Sequence, residues 1–297
     1  MRKVRKTVIQ KEQNGLTVKT VLSDVFSLST HEISSLKFAS DGITVNGIKS
    51  RVNVILKEGD VLAVCFPEDR KKEHSQSTLI PEILYQDEDI VIVNKPAGVC
   101  AHPAHGHLDD DMGTALQTAA GITTVRAVGR LDKDVSGIMV YAANRPSAAR
   151  LSGQRKKGIL QKEYTAVVQG RTPKEGTLCI RLAKKEGSFR RVKTEDGAET
   201  VTRYTRISGS DTWSLLKIRI ETGRTHQIRA VFWEEGFPLY GDALYGGDCS
   251  VMKRPALHCS EITLRQPFEG NEIRIKAGMP ADMENLILYL KEGSDSL

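Results

Sequence analysis

Two uninterrupted apolar runs, Ile90-Val91-Ile92-Val93 and Ile138-Met139-Val140-Tyr141, set the tightest limit on the architecture. A strand with one face in water alternates apolar and polar side chains, so runs like these read as strands covered on both faces. The second follows a turn bounded by glycines, Gly129-Arg130-Leu131-Asp132-Lys133-Asp134-Val135-Ser136-Gly137, which puts an arginine and two acids at the edge of a buried strand. Two carboxylates two residues apart share a face on a strand but diverge on a turn, so the segment offers one working carboxylate rather than an acid/base pair. The competing reading is a capping loop whose acids bond to backbone amides.

With 297 residues the chain has material for one large domain or a domain plus a module. It has no apolar run of the roughly 18 residues a membrane helix needs. The start, Met1-Arg2-Lys3-Val4-Arg5-Lys6, is basic without a following apolar region, so neither a membrane span nor secretion is expected. Five scattered cysteines, without paired metal-ligand spacing, fit reduced thiols in a cytoplasm. The formal net charge of +6 suggests an acidic partner, with nucleic acid ahead of a membrane because no basic amphipathic helix with a broad apolar face is evident. A basic protein with no polyanion partner is the alternative.

Residues 14–66 read as a first unit. Leu16, Val18, Val21, Leu22, Val25 and Phe26 have helical spacing, and Ser29-Thr30-His31-Glu32 is a cap signal for a second helix. Gly42 to Gly47 reads as a strand into a tight turn, and the turn Lys57-Glu58-Gly59-Asp60 leads into Val61-Leu62-Ala63-Val64. This order resembles the ribosomal protein S-four type of RNA-binding domain, matched at residues 41–47 and at Gly59-Asp60-Val61. The cations that could hold phosphates here are the basic arm Arg2, Lys3, Arg5 and Lys6, then Lys37, Lys49 and Arg51. Residues 67–78 are charged and lack apolar period, as a linker would.

A second domain is expected from about residue 79, with Ile90–Val93 as its first strand, followed by Asn94-Lys95-Pro96-Ala97-Gly98 and His102-Pro103. Asn144-Arg145-Pro146-Ser147 opens a helix that runs to Arg155-Lys156-Lys157 and stops at Gly158. Lys162-Glu163-Tyr164 begins a strand, and residues 181–197 read as a basic hairpin carrying Arg190 and Arg191. A strand over Leu215–Ile220 turns through Glu221-Thr222-Gly223 into Arg224-Thr225-His226-Gln227-Ile228-Arg229, read as the opening of a helix. Gly236-Phe237-Pro238 and Gly241-Asp242-Ala243-Leu244-Tyr245-Gly246 follow. A final helix is expected from Pro280 through Leu290, with residues 292–297 as a flexible tail.

These segments together resemble the RluA-type pseudouridine synthases, over about residues 80–290. That family's central motif usually reads His-Arg-Leu-Asp, two variable residues, then Thr-Ser-Gly; here Gly129 replaces the His and Val135 the Thr. Its signature Thr-Gly-Arg-Thr-His-Gln-Ile-Arg is present in full from Thr222 to Arg229. The resemblance implies an α+β fold, a large, mostly antiparallel mixed sheet flanked by helices, with a small N-terminal α/β RNA-binding module. It implies domains at 1–66 and 79–291 and an enzyme that isomerises uridine to pseudouridine in RNA without cofactor or metal.

By the same resemblance Asp132 is the catalytic carboxylate, either adding to the sugar carbon or taking a ribose proton, and Arg229 is its bidentate counter-cation. Tyr164 lies against the target uracil, and Arg130 fills the gap left in the RNA stack, clamps a phosphate or serves as an ion-pair partner. Arg224 and His226 read mainly as scaffold, with Arg224 the fallback partner for Asp132 if Arg229 faces away. Ribosomal RNA, or transfer RNA, is the expected partner of a cytoplasmic monomer with no membrane role. Two other readings stand beside this one. One is a non-catalytic RNA-binding protein on the same fold; the other is a metal-dependent hydrolase using His102, His105 and His107 with Asp109, Asp110 and Asp111.

Overall fold

The structure is a computed structural model that describes residues 3–26, 28–66, 77–102, 111–120, 122 and 125–294. The chain divides into two compact units, Met1–Lys72 and Glu73–Leu297.

The first unit opens with strand β1 (Lys3–Val8), so the segment read as a basic arm is a sheet edge from Lys3 onward, and Arg2 lies outside the described residues. Helix α1 (Val18–Asp24) starts at Thr17, whose hydroxyl accepts the Thr20 N–H at 3.2 Å, and it buries Val18, Val21 and Leu22. Helix α2 (Thr30–Phe38) is opened by a reciprocal cap in which Ser29 and Glu32 bond each other's backbone N–H, and it buries Ile33 and Leu36. Strands β2 (Ile43–Val45) and β3 (Ile48–Lys49) are joined through Asn46 and Gly47, both at positive φ, as a tight hairpin requires. Strand β4 (Val61–Phe66) completes a sheet of order β1-β4-β2-β3. Asn46 joins its two turns, donating to Asp60 and accepting the Val61 N–H, each at 2.8 Å.

The second unit begins one strand earlier than the sequence suggested. Strand β5 (Glu82–Gln86) precedes β6 (Ile90–Lys95); it is a largely exposed edge with a register irregularity between Ile83 and Tyr85, so its apolar pattern carries little signal. Helix α3 (Met112–Ala120) is followed by the short strand β7 (Arg126–Ala127) and by β8 (Ser136–Ala142), buried at every position. Helix α4 (Arg145–Lys156) is capped by Asn144 with Pro146 in its first turn. Strands β9 (Gln161–Gln169), β10 (Glu175–Lys184), β11 (Arg191–Lys193), β12 (Ala198–Gly209) and β13 (Trp213–Ile220) then lead to helix α5 (Gln227–Glu234). Strands β14 (Leu257–Arg265) and β15 (Glu272–Lys276) precede α6 (Ala281–Ser294). That last helix takes in Glu292 to Ser294, which the sequence reading had left to a tail; residues 295–297 lie outside the described residues, as do 67–76 of the linker.

These strands form an 11-stranded mixed sheet with the path β11-β10-β12-β13-β9-β14-β8-β6-β5, β15 pairing with β14 and β7 with β8. Among the described strand pairs β8 and β14 are parallel, with Ser136 opposite His258 and Cys259 opposite Gly137. The core gathers β6 and β8 with Met112 and Leu116 of α3, Leu151 of α4, and Ile228 and Phe232 of α5. This is the α+β architecture expected, and the continuous apolar runs are two adjacent interior strands, β6 and β8.

Candidate active site

Asp132 sits in the turn that feeds β8, where its carbonyl accepts the Val135 N–H at 3.1 Å. Its neighbours Leu131 and Val135 are buried and fix the turn to the core, while its own side chain keeps 16% exposure. Lys95, the end of β6, secures the same turn from the other side. Its fully buried ammonium donates to the carbonyls of Pro96 (2.8 Å), Val99 (2.9 Å) and Lys133 (2.9 Å), and Gly98 N–H also donates to Lys133. The Asn94–Gly98 segment therefore acts as a strap on the acid-bearing turn. Burial pulls the Lys95 ammonium down to about 8, opposed by Asp134, Cys100 and Asp132.

Arg229 of α5 reaches Asp132 by one contact, Nη1 to Oδ2 at 3.2 Å. The two-pronged contact expected for Asp132 goes instead to Asp242, with Nε to Oδ2 at 2.6 Å and Nη2 to Oδ1 at 2.8 Å. The cause is geometric: one edge of the guanidinium, Nε and Nη2, faces the fully buried Asp242, leaving Nη1 for Asp132. Burial works against the Arg229 charge, but the bonds and charge of Asp242, with Asp132 behind them, more than offset it and hold the guanidinium above its ordinary value. Arg229 also lies over the Tyr245 ring, 5.2 Å from its centroid.

His226 is the residue the sequence reading undervalued. It caps α5 in the left-handed conformation, φ 56°, uncommon for a residue with a side chain. The helix thus begins at Gln227, three residues beyond Arg224. The His226 ring shares a 3.2 Å hydrogen bond between Nδ1 and the Tyr245 hydroxyl and places Nε2 3.8 Å from the Asp132 carboxylate. Burial lowers its tendency to protonate, Asp132 opposes and Arg229 adds to the effect. Gln227, also buried, holds the turn by accepting from the Thr222 hydroxyl (2.8 Å) and donating to Thr202 (3.1 Å). Arg224 is exposed and contributes a main-chain N–H to Gln227, so it is not placed as a partner of Asp132.

Tyr164, on β9, is 5% exposed and pairs across the strands with Cys259 of β14. Burial first, then the proximity of Cys259 and Asp132, raises its phenol well above its ordinary value, so it stays a neutral hydrogen-bonding ring. Burial likewise pushes the Cys259 thiol up to about 11. Arg130 is exposed beside the acid. Arg191 reaches the site by its backbone, donating to the Tyr245 hydroxyl at 2.7 Å, and the Arg190 guanidinium lies 5.7 Å from the Trp233 ring centroid. Arg5, Lys6 and Lys37 belong to the first unit; Lys3 is in β1. Of the histidine loop, His102 is exposed, and His105, His107, Asp109 and Asp110 lie outside the described residues. Asp111 is buried and committed to capping α3, accepting from Gly113 (2.8 Å) and from Thr114 (N–H 3.2 Å, hydroxyl 2.6 Å).

The site is thus one partly exposed carboxylate, ringed by an arginine, a histidine and a buried tyrosine, in the turn that feeds a buried interior strand. The family described as RNA pseudouridylate synthase matches residues 89–234. An RNA pseudouridine synthase of Bacillus subtilis, YjbO, is 35% identical over 279 residues, covering 92% of this chain and 98% of its own length. The ribosomal large subunit pseudouridine synthase D of Zymomonas mobilis is 31% identical, over 79% of this chain and 80% of that one. The human RNA pseudouridylate synthase domain containing 4 has the same fold at a TM-score of 0.59 and 21% identity, covering 71% of this chain and 93% of that one.

Proposed function

The chain belongs to the RNA pseudouridylate synthase family, and on that premise we propose that Asp132 is the carboxylate that converts uridine to pseudouridine in ribosomal RNA. The reaction breaks the bond between ribose C1′ and uracil N1, turns the detached base in place and joins C1′ to C5. The proton lost from C5 balances the one gained at N1, so the product is an isomer. The Asp132 carboxylate serves this by adding to C1′ as N1 leaves, or by taking a ribose proton in an elimination that the recapture of the base reverses. The observation that carries the assignment is the Asp132–Arg229–Asp242 arrangement: a carboxylate that keeps access to solvent while a clamped guanidinium orients it.

Tyr164 is proposed to lie against the extruded uracil. A buried neutral phenol beside the acid offers a face for stacking and keeps water from the open glycosidic position. Exposed Arg130 would fill the space that the uridine leaves or hold a phosphate. The first unit, read as S-four-like, would add phosphate contacts through Arg2, Lys3, Arg5, Lys6 and Lys37, and the hairpin through Arg190 and Arg191. We place the enzyme in the cytoplasm as a monomer, with transfer RNA as the second candidate substrate.

The test is release of tritium from RNA labelled at uracil C5, prepared from cells lacking this protein. Release by the native chain and none by Asp132→Asn is the expected result, and sequencing the new pseudouridines names the target RNA. Release by Asp132→Asn at the native rate would remove that residue from the chemistry.

A further inference from the structure

The hairpin between β10 and β11 ends in Lys185-Glu186-Gly187-Ser188-Phe189-Arg190, and at its tip the Phe189 side chain is 80% exposed. Single exposed apolar residues are ordinary on protein surfaces, so exposure alone selects nothing. Three further observations do.

The first is charge. Lys184, Lys185, Arg190, Arg191 and Lys193 lie along the two strands and the turn that carry Phe189, with Arg181 further down β10 and Glu186 the acid among them at the tip. The second is a firm seat. The turn is closed by Lys185 N–H donating to the Arg190 carbonyl at 3.0 Å and by Arg190 N–H donating to Ser188 Oγ at 3.2 Å. Strand β11 is docked on α5 by Lys193 N–H donating to Glu234 at 2.8 Å and by the Arg190 guanidinium against Trp233. The third is place. Arg191 N–H donates to the Tyr245 hydroxyl, and Tyr245 bonds His226, which faces Asp132, so the root of the hairpin is two side chains from the carboxylate.

We propose that Phe189 stacks on an unpaired base of the RNA substrate while the flanking cations hold the adjacent phosphates. A phosphodiester chain drawn to such cations brings bases within reach of the ring, and every base has a π face that a phenyl ring can meet. A membrane would also attract an apolar residue among cations, but one ring on a hairpin lacks the broad apolar face that interfacial binding needs. The inference rests on the reading of the chain as an RNA-modifying enzyme and adds a base contact to it.

The experiment uses the full chain and its Phe189→Ala, Phe189→Leu and Phe189→Trp variants. The probes are an unmodified large-subunit ribosomal RNA transcript, a mixed-sequence single-stranded oligoribonucleotide and a duplex of the same length, titrated over a range of salt. Phe189 being exposed, thermal melts of the four proteins are expected to coincide. Ala and Leu should weaken single-strand binding about 5- to 100-fold, the worth of one stacked base, while Trp binds as tightly as Phe or tighter. Stacking releases no counterions, so the salt slope should stay unchanged in these variants, whereas Arg190→Gln should lower it by about one cation's worth. Leu binding like Phe would reduce the contact to apolar area, and an equal loss on the duplex would make it something other than base stacking; either result overturns the inference. A native chain that neither binds these RNAs nor forms pseudouridine would remove the underlying reading instead. A native chain active on RNA, with Ala binding unchanged, would remove the stacking inference alone.

Discussion

Arg229 serves two carboxylates with unequal shares, and that inequality determines what its loss should do. Asp242 is fully buried and takes two nitrogens; Asp132 is partly exposed and takes one. Removing the cation strands a buried charge, which typically costs ~3–5 kcal/mol. Arg229→Ala is therefore expected to lower the urea midpoint sharply and abolish tritium release together. Most of the instability belongs to the stranded Asp242, so adding Asp242→Asn to Arg229→Ala should restore part of the midpoint and none of the activity. Simple addition of the two single-variant costs would contradict this coupling. Little of it was legible in the chain. Arg229 and Asp242 both stand in recognisable segments, yet which nitrogen faces which carboxylate depends on α5 and a loop meeting in space. Gly129 shows the opposite case: its φ of +82°, with Arg155 Nη1 3.3 Å from where a Cβ would stand, is a conformation the glycine itself signals. A histidine at this place, as in the family motif the segment resembles, would be strained on this backbone.

At the level of elements, the site depends on the parallel pairing of β8 with β14, which sets the Asp132 turn beside the Tyr164 strand. Gly137 makes that pairing close: its φ is +113°, and a Cβ there would run into the Cys259 backbone. Backbone strain and overpacking each cost roughly 1–3 kcal/mol, so Gly137→Ala is expected to lose on the order of 2–5 kcal/mol or fail to accumulate folded. Two other glycines calibrate the effect. Gly187→Ala, at φ +65° with open space around it, should cost about 1 kcal/mol, and Gly153→Ala inside α4, also unobstructed, should stabilise by about 0.5–1 kcal/mol. Thermal melts that placed Gly137→Ala among these two would mean the strands can part without penalty. The buried strands β6 and β8 were readable from sequence because burial on both faces leaves an apolar run. Edge elements were not: β1 holds three cations, Lys3, Arg5 and Lys6, among six residues and resembles a charged arm, and β5 mixes exposed Glu82 and Gln86 with half-buried residues. The Asn94–Gly98 segment was recognised as a motif, but the reach of Lys95 to the carbonyl of Lys133 is a long-range contact that no local pattern records.

Taken as a whole, the molecule holds, among the described residues, two histidines whose burial opposes protonation, and this gives its stability an acid limb. His226 is lowered by burial, opposed by Asp132 and Asp242 and reinforced by Arg229 and Arg191; Tyr245 is its hydrogen-bond partner. His258 is lowered by burial, opposed by the backbone at Ala277 and Gly278 and reinforced by Arg254; its Nδ1 lies 2.9 Å from the Ser136 hydroxyl. In the unfolded chain both protonate near their ordinary 6.5, while the folded protein keeps them neutral to lower pH. Between those limits the unfolded state binds more protons, so the contribution of these two groups is fully present above about 6.5 and declines as pH falls toward the folded values. Asp60 and Asp248, whose carboxyls are lowered by backbone hydrogen bonds, act at the acid side of this window, and Lys95, pulled down to about 8, acts at its alkaline side, so the histidines govern the stretch around and below 6.5. Urea midpoints taken from pH 7.5 to 5 should therefore fall with acid in the native chain. His258→Asn, and His226→Asn, which keeps a residue tolerant of left-handed φ, should each flatten the decline and together nearly remove it. Activity separates the two sites that stability adds together. His258 is itself in β14 with its ring on the Ser136 hydroxyl, so its variant should keep the native pH–rate profile once folded, whereas the profile of His226→Asn should shift, because that ring faces Asp132. An unshifted profile for His226→Asn would leave the histidine a purely structural cap of α5.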